Sequence, residues 1–173
     1  MKTLVLGLFL GLTSLTFSQN EIAYVDVNSE IEFEIETSKP DRNNLNFINS
    51  FVFSDISQRI LTFQKVSADY DIKTDPVYTP TKPSTYTVIF KEANNKIINL
   101  YSHSGEILYS DQTFSAIRLP YAISSKIAKE HPEWLIYDIA CTISYTKGKA
   151  DNIIVYKVKL KNGSHNKTLK ITG

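Results

Sequence analysis

Apolar and polar residues alternate most clearly between positions 153 and 161 of the chain. Every second residue there is apolar, and lysines fill most positions between them, so the pattern predicts a β-strand with one buried and one cationic face. The buried set is Ile154, Tyr156, Val158 and Leu160, and the opposite set is Val155, Lys157, Lys159 and Lys161. Asn162-Gly163 then predicts a hairpin turn, after which residues 167–171 return as a second strand with Leu169 and Ile171 inward.

A helix and a further strand precede this hairpin. Pro120 is a typical first residue of a helix, and apolar residues recur after it at helical spacing. The helix should end before Pro132, because proline disfavours helical geometry at the residue preceding it. Residues 134–143 then predict a strand. Its inward face is predicted to hold Tyr137, Ile139, Cys141 and Ile143, followed by Tyr145.

A weaker version of the same order lies upstream. Residues 57–68 predict a helix, and residues 74–84, which carry three prolines, predict an extended loop. The next apolar positions, Tyr86, Val88 and Phe90, match Tyr156, Val158 and Leu160 in order and spacing. We therefore predict an α+β fold of two tandem repeats, each a helix packed on an antiparallel β-sheet.

The N-terminal part of the chain has a different character. Residues 1–18 show one basic residue, an apolar run and a stretch of small and polar residues, which is the layout of a secretory signal peptide. Residues 19–56 form an N-terminal strand region, in which four glutamates between positions 30 and 36 alternate with apolar residues and predict a half-buried strand. Residues 57–111 are then the first, degenerate repeat, and residues 112–173 are the second.

Composition and charge narrow the range of functions. The 173 residues are 42% hydrophobic, which is enough to bury a core. Removing Lys2 with the signal peptide leaves equal numbers of basic and acidic side chains, so no global charge attracts nucleic acid or membrane. We expect an exported protein, periplasmic or extracellular, that does not insert into the membrane after signal removal.

The second repeat resembles a known family. Its order of motifs is similar to that of the PepSY-like domain, also described as beta-lactamase-inhibitor-like. The motifs are Leu119-Pro120, a helix, Pro132 followed closely by Trp134, a strand, and then Tyr156-Lys157-Val158-Lys159-Leu160 with Asn162-Gly163. The first repeat resembles it more faintly and has no counterpart of the segment from Pro132 to Trp134. The resemblance implies an exported bacterial protein of small repeats, with no catalytic residues to carry over.

The residues that usually perform catalysis are scattered. Cys141 lies in a strand pattern and is expected to be a buried, inert thiol. The three histidines, His103, His131 and His165, lack the spacing of a zinc motif and fall at turns or helix ends. Three aspartates close in sequence predict a solvated turn; they are Asp69, Asp71 and Asp75. The sequence therefore predicts no catalytic residue, no metal site and no cofactor.

The cationic strand face is the strongest candidate for a binding site. Lys157, Lys159, Lys161 and Lys170 are expected to project from one side of two neighbouring strands, toward a protein or an anionic envelope component. Lysines on an open sheet face also supply solubility and discourage unwanted edge pairing, which is the alternative interpretation. The face lacks interleaved aromatic residues, so a nucleic acid is not expected. We thus predict a non-catalytic binding module that inhibits or modulates an envelope protein. One alternative is a periplasmic protein that binds small ligands or anionic polymers in the cleft between the repeats. The other alternative is an unrecognised enzyme.

Overall fold

The computed structural model describes residues 21–27, 44–51 and 54–173, which form one sheet with helices on one side. The strands are β1 (Glu21–Asp26), β2 (Tyr86–Glu92), β3 (Asn95–Tyr101), β4 (Ile107–Ser115), β5 (Leu135–Thr146), β6 (Ile153–Asn162) and β7 (His165–Thr172). The helices are α1 (Leu45–Asn49), α2 (Gln58–Asp69) and α3 (Tyr121–Glu130). The predicted signal peptide and the glutamate-bearing strand at positions 30–36 lie outside the described residues.

The strands follow one another across the sheet in chain order, from β1 to β7. Neighbouring strands are antiparallel except for β1 and β2, which are parallel. The predicted α+β class and the antiparallel pairing from β2 onward are confirmed. Both predicted repeats contribute strands to this single sheet and to a common core, and their relation as copies stays a prediction.

Within the described residues, helices cover only one face of the sheet. Alternate residues of the central strands are buried, and α2 and α3 close over them. Phe63 of α2 contacts Phe114 of β4 edge to face, with ring centroids 6.2 Å apart, and Ile127 of α3 is buried in the same core. An antiparallel sheet with a single covered face leaves its other face open to solvent. That open face carries the candidate site.

The helices of the two predicted repeats are confirmed. The first, α2, begins after Ser57, and the second, α3, ends at Glu130, two residues before Pro132. The predicted loop at residues 74–84 contains no strand, although a turn of 3₁₀ helix, Ile72–Thr74, leads into it. None of the helices within the described ranges has the length and apolar character needed to cross a bilayer.

Candidate functional site

The four lysines predicted to share a face do so. In the pairing of β6 with β7, Lys157 lies opposite Lys170, Lys159 opposite Thr168 and Lys161 opposite Asn166. The residues between them on β6 are buried in the core; these are Tyr156, Val158 and Leu160. Because side chains alternate along a strand, the lysines project from the opposite, open face.

The hairpin fixes how closely these lysines approach. Asn162 and His165 close a two-residue loop, in which Gly163 takes the left-handed conformation with a φ of 56°. The closing pair of such a hairpin is hydrogen-bonded, and pair types alternate away from it, so Lys157 and Lys170 form a non-hydrogen-bonded pair. Directly opposed residues of this type have the closest side chains in an antiparallel ladder, and like charges there are destabilising.

A β-bulge adds an aromatic ring and a carboxylate to the lysine face. The register of β5 against β6 shifts between Ile136 and Asp138, so that Tyr137 is an extra residue opposite Lys159. Tyr137 was predicted to point into the core; this prediction is wrong, because a bulge interrupts the alternation on which it rested. Its side chain is half exposed and lies close enough to Lys159 to contribute to raising the pKa of that lysine.

Asp138 forms the ion pair of this surface. Its Oδ2 lies 2.8 Å from Nζ of Lys159, and both side chains are more than one third exposed. The hydrogen bond from Lys159 lowers the pKa of Asp138, and the same bond raises the pKa of Lys159. The pair therefore stays charged across neutral pH and holds Lys159 in place, while no ion pair is present for Lys157, Lys161 or Lys170 in the described part of the chain.

Reversing one charge of the closest lysine pair should stabilise the fold. We expect Lys170→Glu to raise the free energy of unfolding by about 1 kcal/mol at low salt, because a repulsive cross-strand pair becomes an attractive one. Urea unfolding of this variant and of Lys170→Gln measures the effect. Lys170→Gln removes the repulsion without adding attraction, so comparing the two variants separates the loss of repulsion from the gain of attraction. A Lys170→Glu protein no more stable than wild type would show that the two ammonium groups do not interact.

The rest of the open face, on β1 to β4, carries exposed apolar side chains among charged ones. Ile22 and Tyr24 of β1 are more than half exposed, and Tyr109 of β4 is 40% exposed. Lys91 Nζ lies 5.8 Å from the ring centroid of Tyr24, within the range of a cation–π contact. Sequence reasoning missed the exposed apolar residues of β1, because it did not predict that strand.

The cysteine and two of the histidines considered as candidate catalytic residues are buried or contact other side chains. Cys141 is fully buried as predicted, and burial raises the pKa of its thiol to about 12. His103 stacks on Tyr78 with ring centroids 5.1 Å apart, and its Nε2 lies 3.2 Å from the Tyr78 hydroxyl. His131 lies instead beside Lys167. Over the described ranges, no three histidine, cysteine or carboxylate side chains are grouped as metal ligands would be.

The aspartates after α2 serve the turn that follows them. Asp71 accepts a hydrogen bond from the backbone N–H of Lys73 at 3.0 Å. Asp75 accepts one from the backbone N–H of Val77 at 2.9 Å and another from the Tyr70 hydroxyl. Asx turns of this kind are a common use of aspartate at loop positions. The predicted turn role of these two carboxylates is therefore confirmed.

A cleft of about 430 Å³ lies between the starts of α2 and α3. Its walls come from two short segments, residues 55–58 and residues 118–121. Tyr121 at its rim is 83% exposed, and Arg118 is also exposed. The volume falls in the range of small-molecule sites, and the cleft lies where the two predicted repeats meet.

No protein-family model matches the chain, and no curated protein or solved structure matches it.

Proposed function

We propose that this chain is a non-catalytic binding module that uses the lysine face of β5 to β7 to bind an acidic surface of an envelope protein and so inhibit or modulate that protein. The lysine face consists of Lys157, Lys159, Lys161 and Lys170 together with Tyr137. The observation that carries the proposal is the cross-strand pair of Lys157 and Lys170. A like-charged pair at this close spacing costs stability, and an acidic partner removes that cost when it binds.

The surroundings of the lysines support binding rather than solubility alone. Lysines that serve only solubility need no fixed position, whereas the Asp138 pair orients Lys159 and the bulge places the Tyr137 ring beside it. Tyrosine is enriched in protein interfaces because it adds a large apolar surface with a polar tip. A cationic face with an aromatic side chain on a rigid sheet suits an acidic protein surface.

We also propose, as the sequence predicts, that the protein is exported and consists of two PepSY-like repeats. Each repeat then contributes a helix and a hairpin, α2 with β2 and β3, and α3 with β6 and β7. Both hairpins have two-residue loops whose first residue has a positive φ, 49° at Ala93 and 56° at Gly163. The matching turns support the relation between the repeats, and the bacterial envelope is where the resemblance places such proteins.

A charge-reversal experiment tests the lysine face. We expect replacement of Lys157, Lys161 and Lys170 by Glu to weaken capture of the partner from an envelope extract by about tenfold or more, because electrostatic attraction and association rate are both lost. The matched control replaces Lys73, Lys82 and Lys129, which are exposed elsewhere, with the same change of charge. Quantitative mass spectrometry of the captured proteins measures the difference. Equal capture by both triple variants would refute the proposal.

A second candidate function is binding of a small anionic ligand. The observation that favours it is the cleft between α2 and α3, which has Arg118 and Tyr121 among its lining residues. Arginine binds carboxylates and phosphates through paired hydrogen bonds, and an exposed aromatic ring supplies an apolar contact. The charge reversal separates the two functions, because the cleft contains none of the substituted lysines.

A further inference from the structure

The last strand of the sheet, β7, has one edge that no other described strand pairs with. Among the described residues, β7 pairs with β6 alone. It runs over eight residues, His165–Thr172, and its register against β6 has no shift. It contains no proline, so neither a bulge nor a missing N–H interrupts the edge. A regular edge strand of this length can accept another strand through backbone hydrogen bonds.

The hairpin geometry shows which backbone groups face outward. Because Asn162 and His165 form a hydrogen-bonded pair, every second residue from His165 onward bonds to β6. Gly173 has the same parity, and its N–H donates to the carbonyl of Ile154 at 2.9 Å, which agrees with this assignment. The N–H and C=O groups of the intervening residues therefore point away from the sheet. These residues are Asn166, Thr168, Lys170 and Thr172.

The side chains on the two faces of this edge define what would fit beside it. On the covered face, Leu169 and Ile171 pack against the core but stay half-buried, because β7 is the outermost of the described strands. On the open face, Lys170 is exposed next to Lys157. A neighbouring strand would place alternate residues beside the apolar pair and beside the lysine. The matching strand therefore alternates apolar with acidic residues.

Lys167 adds a second positive charge to this edge. It lies opposite Leu160, whose side chain is in the core, so Lys167 projects on the covered side of the edge, near His131. Inward-pointing charges on edge strands discourage pairing with other strands in general. With Lys170 on the other face, the edge repels a second cationic edge, whereas acidic residues in a partner strand offset the charge.

We propose that β7 is a docking edge for an extended segment of a protein partner whose residues alternate between acidic and apolar, added as an eighth strand. This inference rests on the proposed function and deepens it, since it states how the acidic partner is held. Backbone hydrogen bonds supply affinity in such strand addition, and the alternate side chains supply specificity. The lysine face then contacts the acidic side chains of the added strand and the surface that follows it.

The test uses a fluorescent peptide as long as β7 in which glutamate and valine alternate, with binding followed by anisotropy. We expect Thr168→Pro to weaken binding by about tenfold or more, because it removes one outward N–H and leaves a peptide carbonyl unpaired. Proline is tolerated at such edge positions, since the lost N–H does not bond to β6. The control Thr168→Ala keeps the N–H and should change affinity by less than about threefold.

Modified peptides keep the test decisive if Thr168→Pro does not fold. In one modified peptide the backbone nitrogens of every second residue are methylated, and in the other peptide those of the intervening residues are methylated. Only one of these two sets of N–H groups faces β7, so only one peptide has its bonding edge blocked. We expect only one of the two methylated peptides to lose binding to the wild-type protein. A peptide of the same composition with its glutamates in one block should bind at least about tenfold more weakly, because it lacks the alternation.

Each outcome decides between contact by the edge and attraction by charge alone. Equal binding by both methylated peptides, or by the block peptide, would overturn the docking edge. That result would leave the proposed function intact if the charge reversal of Lys157, Lys161 and Lys170 still reduced capture of the envelope partner. Loss of both effects would overturn both.

Discussion

Replacing Asn44 by alanine should lower the free energy of unfolding by about 3 kcal/mol or more, because each buried polar group left without a partner costs roughly 1–3 kcal/mol. The Asn44 side chain is buried and joins three parts of the chain. Its Nδ2 donates to the carbonyls of Ala68 and Gly105, both at 3.1 Å, and its Oδ1 accepts from the N–H of Ile107 at 2.8 Å. Alanine leaves all three backbone groups unpaired.

Urea unfolding measures this effect, and two variants control for it. Asn46→Ala changes an exposed asparagine two residues away and should stay within about 0.5 kcal/mol of wild type. Asn44→Asp keeps the acceptor for Ile107 but removes both donors, so its stability should lie below wild type. A loss of less than about 1 kcal/mol for Asn44→Ala would show that water replaces the side chain.

Local pattern was sufficient to predict the second half of the sheet. Along β6, alternation is unbroken from Ile154 to Leu160, and a one-residue slip would move all of these apolar side chains into water. The turn predicted at Asn162-Gly163 joins two neighbouring strands, and the alternation places Lys157 and Lys170 on the same face. Their exact pairing comes from the structure, in which Asn162 closes the loop opposite His165 and Lys157 lies opposite Lys170. The lysine residues of the candidate site were therefore placed correctly on one face.

The bulge at Tyr137 could not be predicted in the same way. A bulge is a mismatch between two paired strands, and it depends on the partner strand as much as on local sequence. The residues from Tyr137 to Tyr145 alternate well enough to predict a regular strand, which is why the aromatic part of the lysine face was missed. Tyr137 is nevertheless half exposed, and Asp138 beside it forms the ion pair with Lys159.

Contacts between residues far apart in sequence explain the other features of the structure that the sequence did not predict. β1 is joined in parallel to β2, about sixty residues away in sequence, and no local signal specifies such a partner. Asn44 likewise bonds to residues 24 to 63 positions away along the chain. Its sequence neighbours are compatible with an ordinary surface asparagine. The sequence thus predicts α2, the elements of the second repeat and the cationic face, whereas β1 and the bulge beside the lysines depend on tertiary contacts.

The same core that makes Cys141 inert should make the protein unstable in alkali. Burial raises the pKa of Cys141 from 9.0 to about 12, and it also raises the pKa values of the buried Tyr101 and Tyr156 above 10.0. Above pH 9 the unfolded chain loses these protons while the folded chain keeps them. Since the unfolded state then binds fewer protons, the free energy of unfolding falls as pH rises. Stability from these groups is complete below pH 9 and is lost progressively above it.

By pH 11 ionisation of the Cys141 thiol alone should lower the free energy of unfolding by roughly 3 kcal/mol relative to pH 7, a large part of the stability of a typical domain, and the two tyrosines add to this loss. Urea unfolding at pH 7, 9, 10 and 11 measures it, and Cys141→Ala provides the control. The variant lacks the group that titrates first, so between pH 7 and pH 10 it should lose about 1 kcal/mol less than wild type. Comparing each protein with itself at pH 7 removes the effect of the cavity that alanine leaves. Identical losses for the two proteins would mean that the Cys141 thiol ionises as readily in the core as in the unfolded chain.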